Sequence, residues 1–365
     1  MIVVKVLLLI ILWFAIVVLA IFALVFFFKR LWHGIYLIER KPDETHWLKT
    51  LDGWRIALHR FVPKRRLKNI PVLLCHGMAG NALSWDFSET HSLARYLNQK
   101  GFEVWAIDLR GAGMSMRPVL FGNFRFNYDF YDYLESDLYR AVDHIKQFSK
   151  VKNIYFVGHS MGGMLAYAYL SGDRKKDIAR AVVMGSPGDL DWLKKFLRFR
   201  FILKVLPYVP LGSITQAVAP VFEWIPSISR LIGTKLENRP LGHISYQAAN
   251  LTENIPTRLI KQFLMWCCLD SKEQSPPFNV NMSSIETPIL VIAGGDDKTV
   301  PPDIVKAGFE KIGSKDKHFV IMSRKLVFEH DYDHNDLLLA KAAPKEVYSL
   351  VSSWLSEEEA KRFRE

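Results

Sequence analysis

The amino-acid sequence predicts an α/β protein: a mostly parallel, doubly wound sheet with a helical cap insertion, preceded by an N-terminal transmembrane helix. Three observations support this fold class. A long uncharged apolar run opens the chain, short apolar runs then alternate with helical patterns, and one long interval lacks any buried-strand pattern. Half of the 365 residues are hydrophobic, which suffices for a sizeable core.

The apolar run comes first. Residues 6–28 carry no charged side chain, and a run of this length crosses a bilayer as a helix. It exceeds the apolar core of a cleaved signal peptide, so we predict a retained single-pass anchor over residues 1–30 and a juxtamembrane segment over 31–44. More Lys and Arg side chains follow the run than precede it, and the positive-inside rule then favours a cytoplasmic catalytic domain.

Residues 45–187 and 286–365 carry the alternating pattern of the predicted core. A hairpin opens it at 48–63, where Asp52-Gly53 is the turn signal. The predicted strands that follow are 71–75, 102–107, 153–157, 180–184, 288–293 and 317–322. The predicted helices are 90–99, 128–149, 161–171, 302–312 and 344–362. Because the strand runs are apolar on both faces, they predict a parallel sheet covered by helices.

Residues 188–285 break this rhythm. They are rich in Phe, Trp, Ile and Leu, contain several prolines, and show no buried strand. We predict a helical cap inserted between two sheet strands. Within it, the segment 191–207 places basic and apolar side chains on opposite sides of a helix. Two interpretations stay open: an ordinary cap helix with a solvated face, or a basic amphipathic helix that rests on an anionic membrane.

A serine flanked by glycines ends one predicted strand, in GHSMG (158–162). Sites in open parallel sheets form beyond the carboxyl ends of strands. A turn this tight needs small residues at Gly158 and Gly162, and the following helix presents free N–H groups. The strand–turn–helix context is typical of a nucleophile elbow with Ser160 as nucleophile. The simpler alternative is a helix N-cap serine.

Such a serine needs a histidine base that is held by a carboxylate. The expected chain order is serine, acid, histidine. Asp296 and Asp297 follow one predicted strand, and His330 and His334 follow the next. Asp189, which follows the strand before them, stays an alternative acid.

The oxyanion of such a reaction needs hydrogen-bond donors. The segment HGMAGN (76–81) ends another predicted strand, so the backbone N–H of Met78 faces the crevice opposite that of Met161. We predict these two groups as the oxyanion hole. The Asp- and His-rich loop around His334 lacks a third histidine at standard spacing, so we expect no metal, and no cofactor is implied.

Charge and motifs limit the classes of binding partner that we expect. The formal net charge of +11 permits an anionic membrane or a nucleic acid. The sequence contains no phosphate loop, zinc spacing or nucleic-acid motif, so we expect no nucleic-acid partner. Only three cysteines occur, two of them adjacent, and they imply no disulfide framework.

From about residue 45 onward, the chain resembles the α/β-hydrolase superfamily, most closely the lipase and esterase branches that include the acid-lipase-like group. The resemblance rests on His76-Gly77, DLRGAGMS (108–115), GHSMGG (158–163), GGDDKTVPP (294–302) and His334-Asn335-Asp336. It favours Asp297 over Asp296 and His334 over His330, and it implies Met78 and Met161 as oxyanion donors. Members of these branches hydrolyse acylglycerols, sterol esters or other carboxylic esters.

These expectations combine into a membrane-anchored serine hydrolase of lipid-like esters. Ser160 attacks the ester carbonyl, His334 moves the proton, and Asp297 orients the imidazole. Its partners would be the ester and a membrane, bound through the N-terminal helix and, in the second interpretation of residues 191–207, also through the basic cap helix. Two alternatives stay open: an acyltransferase that uses the same residues with an alcohol or lipid acceptor, and a non-catalytic membrane scaffold.

Overall fold

The computed structural model describes residues 2–188, 190, 206–230, 233–267 and 280–356. Asp189 and nearly all of the predicted amphipathic helix 191–207 lie outside these ranges. The structure has an α/β-hydrolase fold, which confirms the predicted fold class.

Short strands and helices alternate along the core. The strands are β1 (Glu44–Lys49), β2 (Arg55–Phe61), β3 (Val72–Cys75), β4 (Val104–Asp108), β5 (Ile154–His159), β6 (Ile178–Met184), β7 (Tyr208–Val209), β8 (Ile255–Pro256), β9 (Ile289–Gly294) and β10 (Lys317–Met322). The helices are α1 (Ile2–Ile35), α2 (Leu93–Gln99), α3 (Tyr139–Ser149), α4 (Met161–Ser171), α5 (Leu211–Ala217), α6 (Val221–Trp224), α7 (Pro226–Ser229), α8 (His243–Asn250), α9 (Thr257–Trp266), α10 (Pro302–Lys311), α11 (Asp336–Leu339) and α12 (Ala343–Leu355).

One twisted sheet forms the centre, in the order β1-β2-β4-β3-β5-β6-β9-β10. The pairs β1/β2 and β2/β4 are antiparallel, and the other pairs are parallel. Because β4 lies on one side of β3 and β5 on the other, the strand order reverses at β3. A crevice opens beyond the carboxyl ends of strands at such a point, and this places the candidate site.

The core lies on both faces of this sheet because successive strand residues point in opposite directions. In β5, Phe156 packs on the face covered by α3 and α4, whereas Tyr155 and Val157 pack on the face covered by α2 and α12. All three side chains are buried. The continuous apolar runs in the sequence therefore reflect burial on both faces, as predicted.

The N-terminal helix is longer than the predicted anchor. It continues to Ile35, past residue 30 and into the predicted juxtamembrane segment, and it ends just after Gly34. It is long and apolar enough to cross a membrane, and its apolar side chains are exposed from Val4 to Phe27. Its carboxyl end packs against α5 and α8.

The described parts of residues 188–285 form short helices and one pair of two-residue strands, β7 and β8. The sequence predicted no strand in this interval. Ile255 and Pro256 of β8 are buried, but a two-residue strand is too short to give a periodic signal. The predicted helix 128–149 also differs, because its first part is a π-helical turn at Asp132–Leu138.

Candidate active site

Ser160 lies at the sharp turn between β5 and α4. Its backbone has φ 55° and ψ −122°, a strained combination for a residue with a side chain. Its N–H donates to Met184 O at 2.9 Å, which fixes the turn against β6. Two glycines make the turn possible: a Cβ at Gly158 would lie 2.5 Å from the backbone of Gly162, and a Cβ at Gly77 would lie 2.8 Å from Ser160 Cβ.

Gly162, which follows Ser160 by two residues, gives a stability prediction. A Cβ at Gly162 would lie 2.2 Å from Cys75 O and 2.7 Å from His76 O, both backbone atoms. Gly162→Ala is therefore expected to lower the free energy of unfolding by roughly 1–3 kcal/mol, as overpacking does. The matched control is Gly172→Ala, whose Cβ would meet Ala168 O at an ordinary 3.5 Å. Equal urea midpoints for both variants would contradict this packing.

Asp297 and His334 lie beyond the ends of β9 and β10. His334 Nδ1 is 2.7 Å from Asp297 Oδ2, and both side chains are almost fully buried. Asp297 Oδ1 accepts from the backbone N–H groups of Thr299 and Val300, both at 2.8 Å. This carboxylate is therefore held from one side while its other oxygen meets the imidazole.

The competing acids and bases occupy other environments. Asp296 pairs with Lys235 and Lys298, each at 2.5 Å, and these partners hold its pKa well below the usual range even though burial opposes them. His330 Nε2 lies 3.7 Å from Glu329, and His330 is not among the residues that line the cavity at Ser160. Asp189 lies outside the described residues.

Ser160 and His334 line one cavity of about 320 Å³. Leu211, Leu251, Ile255, Leu338 and Leu339 contribute apolar walls. Within the described ranges, no hydrogen bond links the Ser160 hydroxyl to the imidazole. Catalytic hydrogen bonds of this type often tighten only in the substrate complex. The structure thus brings Ser160, His334 and Asp297 to one edge of the sheet.

Met78 and Met161 lie close to Ser160, at the same edge of the sheet. Both line a small cavity beside the elbow, and Met78 also lines the Ser160 cavity. Met161 is the first residue of α4, where backbone N–H groups lack intrahelical acceptors. In the part of the chain that the structure describes, neither N–H is donated to a protein acceptor. Two unused donors therefore lie near the hydroxyl.

Two further histidines form hydrogen bonds to the loops at this edge of the sheet. His76 Nε2 accepts from Leu109 N at 3.2 Å, so its Nδ1 carries the proton and donates to Gly77 O at 2.8 Å. His159 Nε2 donates to His334 O at 3.0 Å. Burial lowers the pKa of both imidazoles, and both act as neutral hydrogen-bonding groups that fix the loops.

Three residues of the 188–285 interval support the site, and sequence motifs did not identify them. Glu253 N donates to Ala79 O at 2.8 Å, next to Met78. Gly233 has φ +63°, and a Cβ there would lie 2.8 Å from His334 Cβ. Arg239 Nε donates to Asp336 Oδ1 at 3.1 Å, with both side chains buried. These contacts hold the loop around Ala79 and the loop that carries His334 and Asp336.

Comparison with known families matches residues 68–326 to the family described as serine aminopeptidase, S33. Mouse gastric triacylglycerol lipase is 24% identical over 87% of this chain and 89% of its own length. The human gastric lipase is 22% identical over 87% and 88%. A probable lipase of Schizosaccharomyces pombe is 32% identical, but the match covers only 40% of this chain and 34% of that protein.

Solved structures give the same fold. A soluble variant of monoglyceride lipase from Saccharomyces cerevisiae, in complex with a substrate analogue, superposes with a TM-score of 0.60 at 17% identity, over 88% of this chain and 97% of that chain. A hydrolase from Pseudomonas aeruginosa gives 0.58 at 18% identity, over 86% and 99%. Since the family match spans well over half of the sequence, the chain belongs to the serine aminopeptidase S33 family of the α/β-hydrolase superfamily, in its lipase and esterase branch, and is a carboxylic ester hydrolase.

Proposed function

We propose that this protein is a membrane-anchored serine hydrolase that cleaves lipid-like esters through Ser160, His334 and Asp297. The observation that carries the proposal is the 2.7 Å contact between His334 Nδ1 and Asp297 Oδ2, in a cavity that the elbow serine also lines. That contact leaves Nε2 of the neutral imidazole free to accept a proton.

The chemistry follows from this tautomer. His334 Nε2 takes the hydroxyl proton as Ser160 Oγ attacks the ester carbonyl, and Asp297 stabilises the imidazolium that forms. The backbone N–H groups of Met78 and Met161 stabilise the oxyanion. The imidazolium then gives its proton to the leaving alcohol, an acyl-enzyme remains, and water activated by the same histidine releases the acid.

Two features support a lipid-like substrate. Aliphatic side chains, Leu211, Leu251 and Leu339 among them, form part of the wall of the Ser160 cavity, and apolar walls favour acyl chains. The matched curated relatives are named as lipases that act on triacylglycerol. Helix α1 would keep the enzyme at the bilayer that holds such esters, and we propose that the catalytic domain lies on its cytoplasmic side.

An ester panel tests the substrate class. Purified full-length protein is assayed against p-nitrophenyl esters from acetate to palmitate and against mono-, di- and triacylglycerol. We expect kcat/KM to rise with acyl length to a maximum above C8. A maximum at acetate would contradict the lipid-like substrate. The same reactions with added glycerol or a long-chain alcohol separate hydrolysis from acyl transfer, because a transferase would form the new ester in preference to the free acid.

The base assignment gives a pH prediction. Burial lowers the pKa of His334, but the carboxylates of Asp297 and, less strongly, Asp333 together raise it by more, so it lies above the ordinary value of 6.5. The base works only when neutral, so kcat/KM should rise with pH through a midpoint above 6.5. Asp297→Asn should move the residual midpoint to lower pH, because the raising charge is gone. A midpoint that is unchanged in this variant would contradict the pairing.

A further inference from the structure

A second cavity, of about 430 Å³, lies where the carboxyl end of α1 meets α8 and the strands β2 and β4 of the sheet. The segment that follows α1 is fixed there, since Asn250 Nδ2 donates to Tyr36 O at 2.7 Å and Asn250 Oδ1 accepts from Ile38 N at 3.3 Å. The residues that line this cavity differ from those that line the Ser160 cavity.

The acidic groups of this cavity already have partners. Asp86 accepts from Arg40 and Arg95, at 2.9 and 3.0 Å. Asp108 accepts from His59 Nε2 at 2.9 Å and from two backbone N–H groups at 2.7 and 2.8 Å. Burial raises the pKa of Asp108, but these donors lower it further, to about 2. The Glu253 carboxylate pairs with Arg117.

Several hydrogen-bond donors that line the same cavity have no protein acceptor. Among the described residues, neither the Lys29 ammonium nor the His33 imidazole makes an ion pair or a side-chain hydrogen bond, and Arg40 Nε is buried without an acceptor. Buried donors normally find acceptors. The cavity therefore has hydrogen-bond donors without acceptors, whereas each of its carboxylates already accepts from a partner, so the group that would complete it is an acceptor such as an anionic head group.

Apolar side chains also line this cavity. Leu37, Ile38, Phe61, Leu83 and Met114 contribute to it. Lys29 directly follows the uncharged run 6–28, so in a spanning helix it lies at the depth of the lipid head groups, where basic side chains meet anionic lipids. A ligand that is complementary to both the unpaired donors and the apolar side chains has an anionic head and an apolar chain. Such a ligand reaches the cavity from the bilayer.

We propose that this cavity is a second lipid site, which binds the anionic head of a membrane amphiphile at Lys29, His33 and Arg40 and part of its chain along the apolar wall. A fatty-acid carboxylate and an anionic phospholipid phosphate share this chemistry. The site is independent of the proposed hydrolysis.

Such a ligand touches the support of the candidate oxyanion segment. Glu253 and Asn81 line the second cavity, and Asn81 Nδ2 donates to Glu253 Oε1 at 3.0 Å. Glu253 also pairs with Arg117 and holds Ala79 O through its backbone N–H. Residues 77–80 in turn line the Ser160 cavity. The two cavities thus lie on opposite sides of one wall.

Photo-crosslinking tests the site. Full-length Ser160→Ala protein, in which hydrolysis cannot consume a probe, is placed in phosphatidylcholine nanodiscs with diazirine-bearing palmitate, phosphatidylglycerol or diacylglycerol. We expect an anionic probe to label peptides that line the second cavity, and the neutral probe to label them at least ten-fold less. Labelling by palmitate alone identifies a carboxylate ligand, and labelling by phosphatidylglycerol alone identifies a phospholipid.

The variant for this test is Lys29→Gln with His33→Gln. Losing charge-assisted contacts should reduce anionic labelling roughly ten-fold or more. The matched control is Arg30→Gln, which removes a charge from the exposed neighbouring position and should keep the labelling. Thermal unfolding of all three proteins checks that they are folded. Equal labelling by the neutral probe, or equal labelling of the double variant and the control, would overturn the proposal, whereas a failure of the hydrolase assignment would leave the labelling intact.

Discussion

Replacing Ser160 with alanine is expected to lower kcat for a long-chain ester by roughly 10⁶-fold, the scale on which a serine nucleophile contributes when it acts as a unit with its base. The physical reason is that no acyl-enzyme forms without the hydroxyl. The change removes a single oxygen from a turn whose strain the surrounding glycines accommodate, so the fold should remain. Steady-state kinetics on purified full-length protein give the result.

The matched control is Ser171→Ala, at the far end of the helix that Ser160 precedes. Among the residues that the structure describes, Ser171 Oγ donates only to Ala168 O, at 3.1 Å, and Ser171 does not line the Ser160 cavity. Its loss should change kcat less than about two-fold and the free energy of unfolding by at most about 1 kcal/mol. Comparable turnover by Ser160→Ala and Ser171→Ala would mean that the reaction uses another nucleophile.

Replacing Asp297 with asparagine is expected to lower kcat by roughly 10⁴-fold, since an amide keeps the shape but no longer fixes the imidazole tautomer that leaves Nε2 as acceptor. The side chain is buried and contacts His334 at 2.7 Å. KM should change far less, because Asp297 does not line the cavity that would hold the substrate. An unchanged thermal unfolding midpoint beside the fall in kcat separates this role from a general loss of folding.

Asp296→Asn is the control for that experiment. It makes the same change one residue earlier, on a side chain that pairs with Lys235 and Lys298. We expect kcat to stay within about three-fold of the wild type, because neither Asp296 nor its two lysine partners line the Ser160 cavity. The opposite ranking, with Asp296→Asn the more damaging, would move the acid to Asp296. Equal small effects would point to an acid outside the pair.

The sequence predicts the sheet and the elbow well because both signals are local. Strands buried on two faces read as short apolar runs, and the runs around Phe156 and Val291 end close to the observed strand ends. The elbow needs glycine at fixed offsets because Gly158 and Gly162 touch each other. The pairing of Asp297 with His334 was expected from chain order and from resemblance, and its assignment to catalysis remains a prediction.

The supporting contacts were not predictable in this way, because they join residues far apart in sequence. Glu253 reaches Asn81 across 172 positions, and Arg239 reaches Asp336 across 97. A lone Glu or Arg in an irregular segment carries no periodic or motif signal. Similarly, nothing local marked Gly233 as the residue whose missing Cβ leaves room for His334. These positions depend on tertiary packing.

The most direct test of the central claim is covalent labelling with a fluorophosphonate probe, followed by mass spectrometry of the labelled peptide. The proposal predicts one adduct, on Ser160 within residues 153–163, formed by the wild type, absent in Ser160→Ala, and formed at least a thousand times more slowly in His334→Ala, which lacks the base. An adduct on a different serine, or no adduct on folded wild-type protein, would contradict the assignment of Ser160 as an activated nucleophile.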